Sequence, residues 1–213
     1  MILSSIYIII IAIAFGSSIY SFKLSYPAHL KLLCLLLGAT LIAEWWAVYG
    51  VQLLGVRNNM IIYNPFMLIE FIVYGLYFKM LTHLQWLKTL INWYVFALPV
   101  LWLICTFILF GIYNWDSYVT IIGSLFTIFF AVIYYYELLT SSETMHLTTT
   151  PEFWIATGLI IFYGGNLPYV GMLNYLIKNY MSLATNLTYV LKILNIVMYS
   201  LFAYAYLCRR SVA

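Results

Sequence analysis

The feature that most limits this chain is a series of apolar runs, recurring along all 213 residues. Each run is about 20 residues long, enough to cross about 30 Å of hydrocarbon as a helix. Within hydrocarbon every backbone polar group must be satisfied inside the protein, which leaves helices or a closed barrel. The runs are solidly apolar rather than alternating with period two, so the pattern selects helices. Charge agrees. Only 7% of the residues are charged and 66% are hydrophobic, against about 25% charged in an ordinary soluble domain. The sequence therefore predicts an all-α membrane protein, with residues 1–213 forming a single seven-helix transmembrane domain.

The expected spans are 3–22, 29–54, 60–80, 89–112, 117–139, 152–177 and 185–207. Connections are short apart from a polar stretch at 140–151. They leave no room for a second domain, so any catalytic output domain is expected on another polypeptide. Orientation follows from the bias of Lys and Arg toward the cytoplasmic side. With the amino terminus outside, Lys23, Lys31, Lys79, Lys88, Arg209 and Arg210 fall inside, while Arg57 and Lys178 fall outside. The carboxyl terminus is then cytoplasmic, and the expected location is a bacterial inner membrane. Gly16-Ser17-Ser18 mimics a signal cleavage site, but no Lys or Arg precedes the first run and Lys23 follows it. A retained first helix is the better reading.

Composition also excludes function classes. The net charge of +3 is scattered over loops, so no nucleic-acid partner is expected. Cys34, Cys105 and Cys208 are odd in number and lie in or beside apolar runs, with neither disulfide nor metal-ligand spacing. They read as small packing residues. His29, His83 and His146 fall in inner-side loops or at span ends, without zinc spacing. No metal and no cofactor is expected. Glu137, Glu143 and Glu152 flank the polar inner loop, where solvation is the default. An enzyme is disfavoured because nothing supplies a nucleophile beside the intramembrane acids.

Those acids are the sharper signal. Ionisable groups at bilayer depth cost about 2.5–3.5 kcal/mol each on insertion scales, so each needs a partner or a use. Glu44 and Glu70 both lie roughly 15 Å from the outer ends of the second and third spans, and Lys192 roughly 10 Å into the seventh. Asn166 in the sixth span falls near the same level. Tyr189, Lys192, Asn195 and Tyr199 share one stripe of the seventh helix. Tyr63, Phe66, Glu70, Tyr74 and Tyr77 do the same on the third, and Thr40 sits one turn from Glu44. The pattern predicts a polar, aromatic-lined cavity open toward the outside, with Lys192 paired to Glu70 or Glu44. The plainer alternative is a buried ion pair that only fixes packing. Trp86, Trp93, Trp115 and Trp154 lie near helix ends, as an interfacial belt requires. Trp45-Trp46 beside Glu44 reads as packing before it reads as a cation cage.

Backbone devices complete the reading. Gly123, Thr127 and Ala131 form a small-residue stripe that admits a neighbouring helix. Pro65, Pro99 and Pro168 each remove a backbone donor. Tyr163-Gly164-Gly165-Asn166-Leu167-Pro168-Tyr169 is the strongest break signal, so Gly164, Gly165 and Pro168 are expected either to gate the cavity or to make a simple kink. Residues 68–76 align loosely with 193–201, as a parallel three-plus-one-plus-three duplication would require.

The segment Pro151–Gly165, together with Ile62–Glu70, resembles a group of uncharacterised membrane proteins of Bacteroidetes-type bacteria. Such proteins are suspected of accompanying sensor kinases, so the resemblance implies a sensory role and assigns no catalytic residue. Microbial rhodopsins share the helix number, the orientation and a lysine in the seventh helix, with Glu70 placed as a counter-ion. The chain departs from them in lacking an acidic residue in that helix and in holding Lys192 near its outer end. Sugar facilitators are an analogy of architecture alone. The leading expectation is a sensor or receptor-like subunit with a small-molecule ligand and a separate cytoplasmic signalling partner. The alternative is a small-solute or proton-coupled transporter, with a membrane scaffold or a retinal-binding protein behind both.

Overall fold

The structure, a computed structural model, describes residues 2–19, 22, 26–50, 59–140 and 147–208. Lys23, Arg57, Glu143, His146, Arg209 and Arg210 lie outside the described residues, as do positions 51–54 of the second expected span. Of the orientation-setting charges, Lys31, Lys79 and Lys88 sit at one end of the helices and Lys178 at the other.

The described residues form seven helices. They are α1 (Ile2–Ser18), α2 (Ala28–Trp45), α3 (Met60–Leu81), α4 (Gln85–Ile104), α5 (Ser117–Thr140), α6 (Pro151–Asn179) and α7 (Met181–Cys208). Widened π-helical turns continue α2 over Trp46–Gly50 and α4 over Cys105–Phe110. Helices α2 to α7 are each long and apolar enough to cross a bilayer. Helix α1 is equally apolar but has 17 residues, about 25 Å of rise. The architecture is all-α and fits a multi-pass membrane protein.

Neighbour relations close six helices into a ring. Helix α1 packs between α2 and α7, α2 on α3, α3 on α5, α5 on α6, and α6 on α7. Helix α4 stands outside, against α3 and more lightly against α5. Its outer face leaves Trp93, Phe96 and Ile108 exposed by 68%, 71% and 75%. That much bare apolar surface suits hydrocarbon, where it costs nothing, and not water.

In this ring α1–α3 and α5–α7 occupy equivalent places, and α4 joins them. The burial pattern follows the same equivalence. Leu33, Cys34, Leu36, Leu37 and Thr40 are buried on α2; Ile155, Ala156, Gly158, Leu159 and Phe162 are buried on α6 with identical spacing. Tyr74, Tyr77 and Phe78 on α3 match Tyr199, Phe202 and Ala203 on α7. In those registers Glu44 corresponds to Asn166, and Glu70 to Asn195.

The stripe on α5 works as a seat for α3. A Cβ added at Gly123 would lie 2.3 Å from Cδ2 of Phe71, so the aromatic ring rests directly on the α5 backbone. Thr127 returns its hydroxyl to the Gly123 carbonyl at 2.8 Å, which satisfies a polar group without a partner from another helix.

Helix α6 keeps a continuous backbone across the glycine-proline stretch. It runs as one helix from Pro151 to Asn179 with Pro168 inside. A proline removes one backbone donor, and the turns on either side keep theirs. Gly165 serves packing instead, because an added Cβ would meet Leu194 of α7 at 2.9 Å. Gly164 has nothing within 4 Å of such a Cβ.

The end of the ring away from the amino terminus is closed. His29 Nε2 and Glu152 Oε1 meet at 2.8 Å, joining the first turns of α2 and α6. The Tyr206 hydroxyl donates to the Leu30 carbonyl at 2.7 Å and Tyr26 donates to the Tyr206 carbonyl at 3.3 Å, tying α7 to α2. Glu152 is therefore engaged with His29 rather than solvated, and both side chains are 13% exposed. The neighbouring Glu137 accepts the His83 backbone N–H at 2.9 Å.

Candidate functional site

Inside the ring lies a cavity of about 610 Å³. Its lining begins with Leu3, Asn59, Met60, Ile177 and Met181, which are helix-end residues on the amino-terminal side. It descends to Glu44, Glu70, Phe162, Tyr163 and Tyr199 at mid-helix. The mouth is thus at the amino-terminal end and the floor above the His29–Glu152 closure.

Each polar group reaches the cavity for a local reason. Glu70 is one turn before Tyr74 on α3, and the Tyr74 hydroxyl donates to its Oε1 at 3.0 Å. Glu44 is on the last α-helical turn of α2, just before the chain widens into the π-helical segment. Its Oε2 accepts the Tyr63 hydroxyl of α3 at 2.9 Å, and Tyr7 of α1 lies beside it. π-helical turns recur at functional sites because the extra residue redirects side chains. Tyr199 of α7 lies within electrostatic reach of both carboxylates.

Lys192 lines the same cavity. It is eleven residues into α7, roughly 16 Å along the helix and so deeper than a span beginning at 185 places it. Its Nζ stands 6.0 Å from the Tyr189 ring centroid. Glu44 lies within its electrostatic reach.

Of the residues singled out from sequence, the structure brings Glu44, Glu70, Asn166, Lys192, Asn195 and Tyr199 to one lining. Tyr74 stands behind that lining as the donor to Glu70. Gly165 and Pro168 face a second, apolar cavity of about 320 Å³ between α6 and α7. Asn166, Tyr169 and Leu191 border both cavities.

Two lining groups are buried without a hydrogen bond. Asn166 is 6% exposed and its Oδ1 has no partner. Tyr163, one turn earlier, is 3% exposed, and its hydroxyl lies beside Glu70 without a hydrogen bond at contact distance. Buried polar atoms left open are rare and costly, about 1–3 kcal/mol each. Both lie on the α6 wall of the cavity.

The mouth has a fixed rim that sequence reasoning missed. The loop Gly111–Asp116 is stapled from both halves of the ring. Asn64 Nδ2 of α3 donates to the Asn114 carbonyl at 2.8 Å. Asn174 Nδ2 of α6 donates to the Trp115 carbonyl at 2.9 Å. Trp115 lines the cavity and meets Tyr63 edge-on, with centroids 6.5 Å apart. Asp116 is fully buried and accepts the Thr106 hydroxyl at 2.6 Å. Burial pushes its carboxyl above the ordinary range, and the Thr106 bond opposes that shift. An amide inside an apolar run, as at Asn64, was the available signal. Tyr7, alone among isoleucines in the first run, was another.

Cys34, Cys105 and Cys208 are buried, and none of them joins another in a disulfide. Among the described residues, no three His, Cys, Asp or Glu side chains group to hold a metal ion. No protein-family model, curated protein or solved structure matches this chain.

Proposed function

We propose that this chain is a receptor-like membrane subunit that takes a small molecule into the cavity between its helices. The observation that carries this is the cavity's asymmetry. One end reaches the helix-end level with open polar groups along its wall, and the other is tied shut by His29 and Glu152. Ligand filling such a space presses on α2, α3, α6 and α7, whose far ends are linked to one another, so occupancy is felt at the closed face. The resemblance to membrane proteins that accompany sensor kinases supports a separate signalling partner there.

In this reading α1 is a seventh crossing, the amino terminus lies outside a bacterial inner membrane, and the carboxyl terminus is cytoplasmic. The apolar composition of α1 supports the crossing, and Lys31, Lys79 and Lys88 support the sign of the orientation.

A carrier is the second reading, favoured by one observation. The equivalent places of α1–α3 and α5–α7 around a central cavity suit two halves that rock against each other. One pair of measurements separates the readings. Purification from native membranes, followed by mass spectrometry, is expected to recover a kinase or regulator. Proteoliposomes are expected to show no uptake of solutes that bind. Uptake without a co-purifying partner would reverse the order.

A further inference from the structure

We propose that the cavity selects organic ammonium ions, an inference that rests on reading the cavity as a binding site. The amine head is received by Glu70, Glu44 and the Asn166 carboxamide, and the body lies against the surrounding aromatic rings.

Acceptors outnumber donors at the floor. An ionised carboxylate offers about four acceptor positions. The Tyr63 hydroxyl fills one on Glu44, which Tyr7 also approaches, the Tyr74 hydroxyl fills one on Glu70, and Lys192 brings three further donors to the lining. Asn166 adds an oxygen that is buried and has no partner. These groups call for a ligand that brings several N–H donors on one atom, which a primary ammonium does.

Charge points the same way. Among the described residues the lining carries two carboxylates, Glu44 and Glu70, and one ammonium, Lys192. With both carboxylates ionised, a monovalent cation balances that set. An anion meets like charge, and a neutral polyol leaves a carboxylate uncompensated away from water. The walls fit as well. Tyr7, Tyr63, Tyr163 and Tyr199 present ring systems to the same space, and aromatic faces attract organic cations. Lys192 lines the same cavity, with its Nζ 6.0 Å from the Tyr189 ring centroid.

The test uses the full chain in lipid nanodiscs and three probes of one shape: phenethylamine, 2-phenylethanol and phenylacetate. Binding is read by calorimetry and by quenching of tryptophan emission. The amine is expected to bind about tenfold or more tighter than the alcohol, as a charge-assisted hydrogen bond implies, and phenylacetate is expected not to bind. Glu70→Gln is expected to weaken the amine about ten- to a hundredfold while leaving the alcohol unchanged. The wild-type comparison needs no variant, so a misfolded substitution does not blunt it. Alcohol or carboxylate binding equal to the amine would overturn the ammonium assignment and leave the binding cavity standing. No binding by any probe would overturn the assignment too, and the native-membrane purification would then judge the receptor reading alone.

Discussion

His29 and Glu152 meet at 2.8 Å although α2 and α6 are not neighbours in the ring. Their contact crosses the interior and holds together two helices that also carry Glu44 and Asn166 to the cavity. It secures the closed end by a hydrogen bond between opposite walls. Glu152→Gln keeps the shape and removes the charge. It is expected to lower unfolding free energy by about 1 kcal/mol, with His29→Ala costing a similar amount. The double variant should cost less than the sum of the two. Thermal unfolding in detergent measures all three, and strict additivity would mean the pair contributes nothing.

Gly123 and Phe71 set how closely α5 approaches α3. Alanine at 123 would put a methyl group 2.3 Å from the Phe71 ring, which is 1% exposed and has little room to turn. Gly123→Ala is expected to destabilise by about 1–3 kcal/mol. Adding Phe71→Leu should recover part of that loss. A variant that melts with the wild type would show that the helices separate freely.

The stapled rim gives a spectroscopic prediction. Asn64→Ala and Asn174→Ala each remove one amide donor to the loop, at a cost of about 1 kcal/mol. Trp115 should then gain solvent, so its emission, isolated against a Trp115→Phe control, is expected to move to longer wavelength. Unchanged emission in both variants would place the rigidity of the loop elsewhere.

Asp116 links the same loop to pH. Its folded-state affinity for a proton is raised above the ordinary value of 3.8. A group shifted in that direction stabilises the fold fully below its unfolded value and loses that contribution as pH rises through the folded one. The wild type is therefore expected to gain stability relative to Asp116→Asn on acidification from about pH 8 to pH 4. Melting both proteins across that range checks the sign. A difference that does not change with pH would remove Asp116 as the titrating group.

An odd number of crossings puts the two termini on opposite sides. Reporter fusions at residue 1 and residue 213 should respond in opposite compartments, with the carboxyl-terminal fusion active in the cytoplasm. Both fusions on one side would leave six crossings and return α1 to the interface.

Much of the helix plan was legible because it depends on length and apolarity, which a sequence carries in full. Glu44, Glu70, Asn166 and Lys192 were visible for the same reason, since a polar group in an apolar run stands out. The failures share a different cause. Which of a gate or a simple kink Pro168 and its glycines make depends on what packs beside the helix, and Leu194 lies against Gly165. Glu152 was assigned to solvent because its partner, His29, is 123 positions away. Pairings between distant helix ends leave no periodic trace. The π-helical turn after Glu44 is equally silent, because Trp46–Gly50 has no residue that demands it.

The rim loop has a mechanical consequence. Asn64 belongs to one half of the ring and Asn174 to the other, and both hold the same six residues, Gly111–Asp116. The halves therefore cannot part along that edge without breaking a hydrogen bond from a side-chain amide, and the loop acts as a fulcrum. Any spreading of the entrance is thrown to the opposite seam, where α1, the shortest strut, lies between α2 and α7.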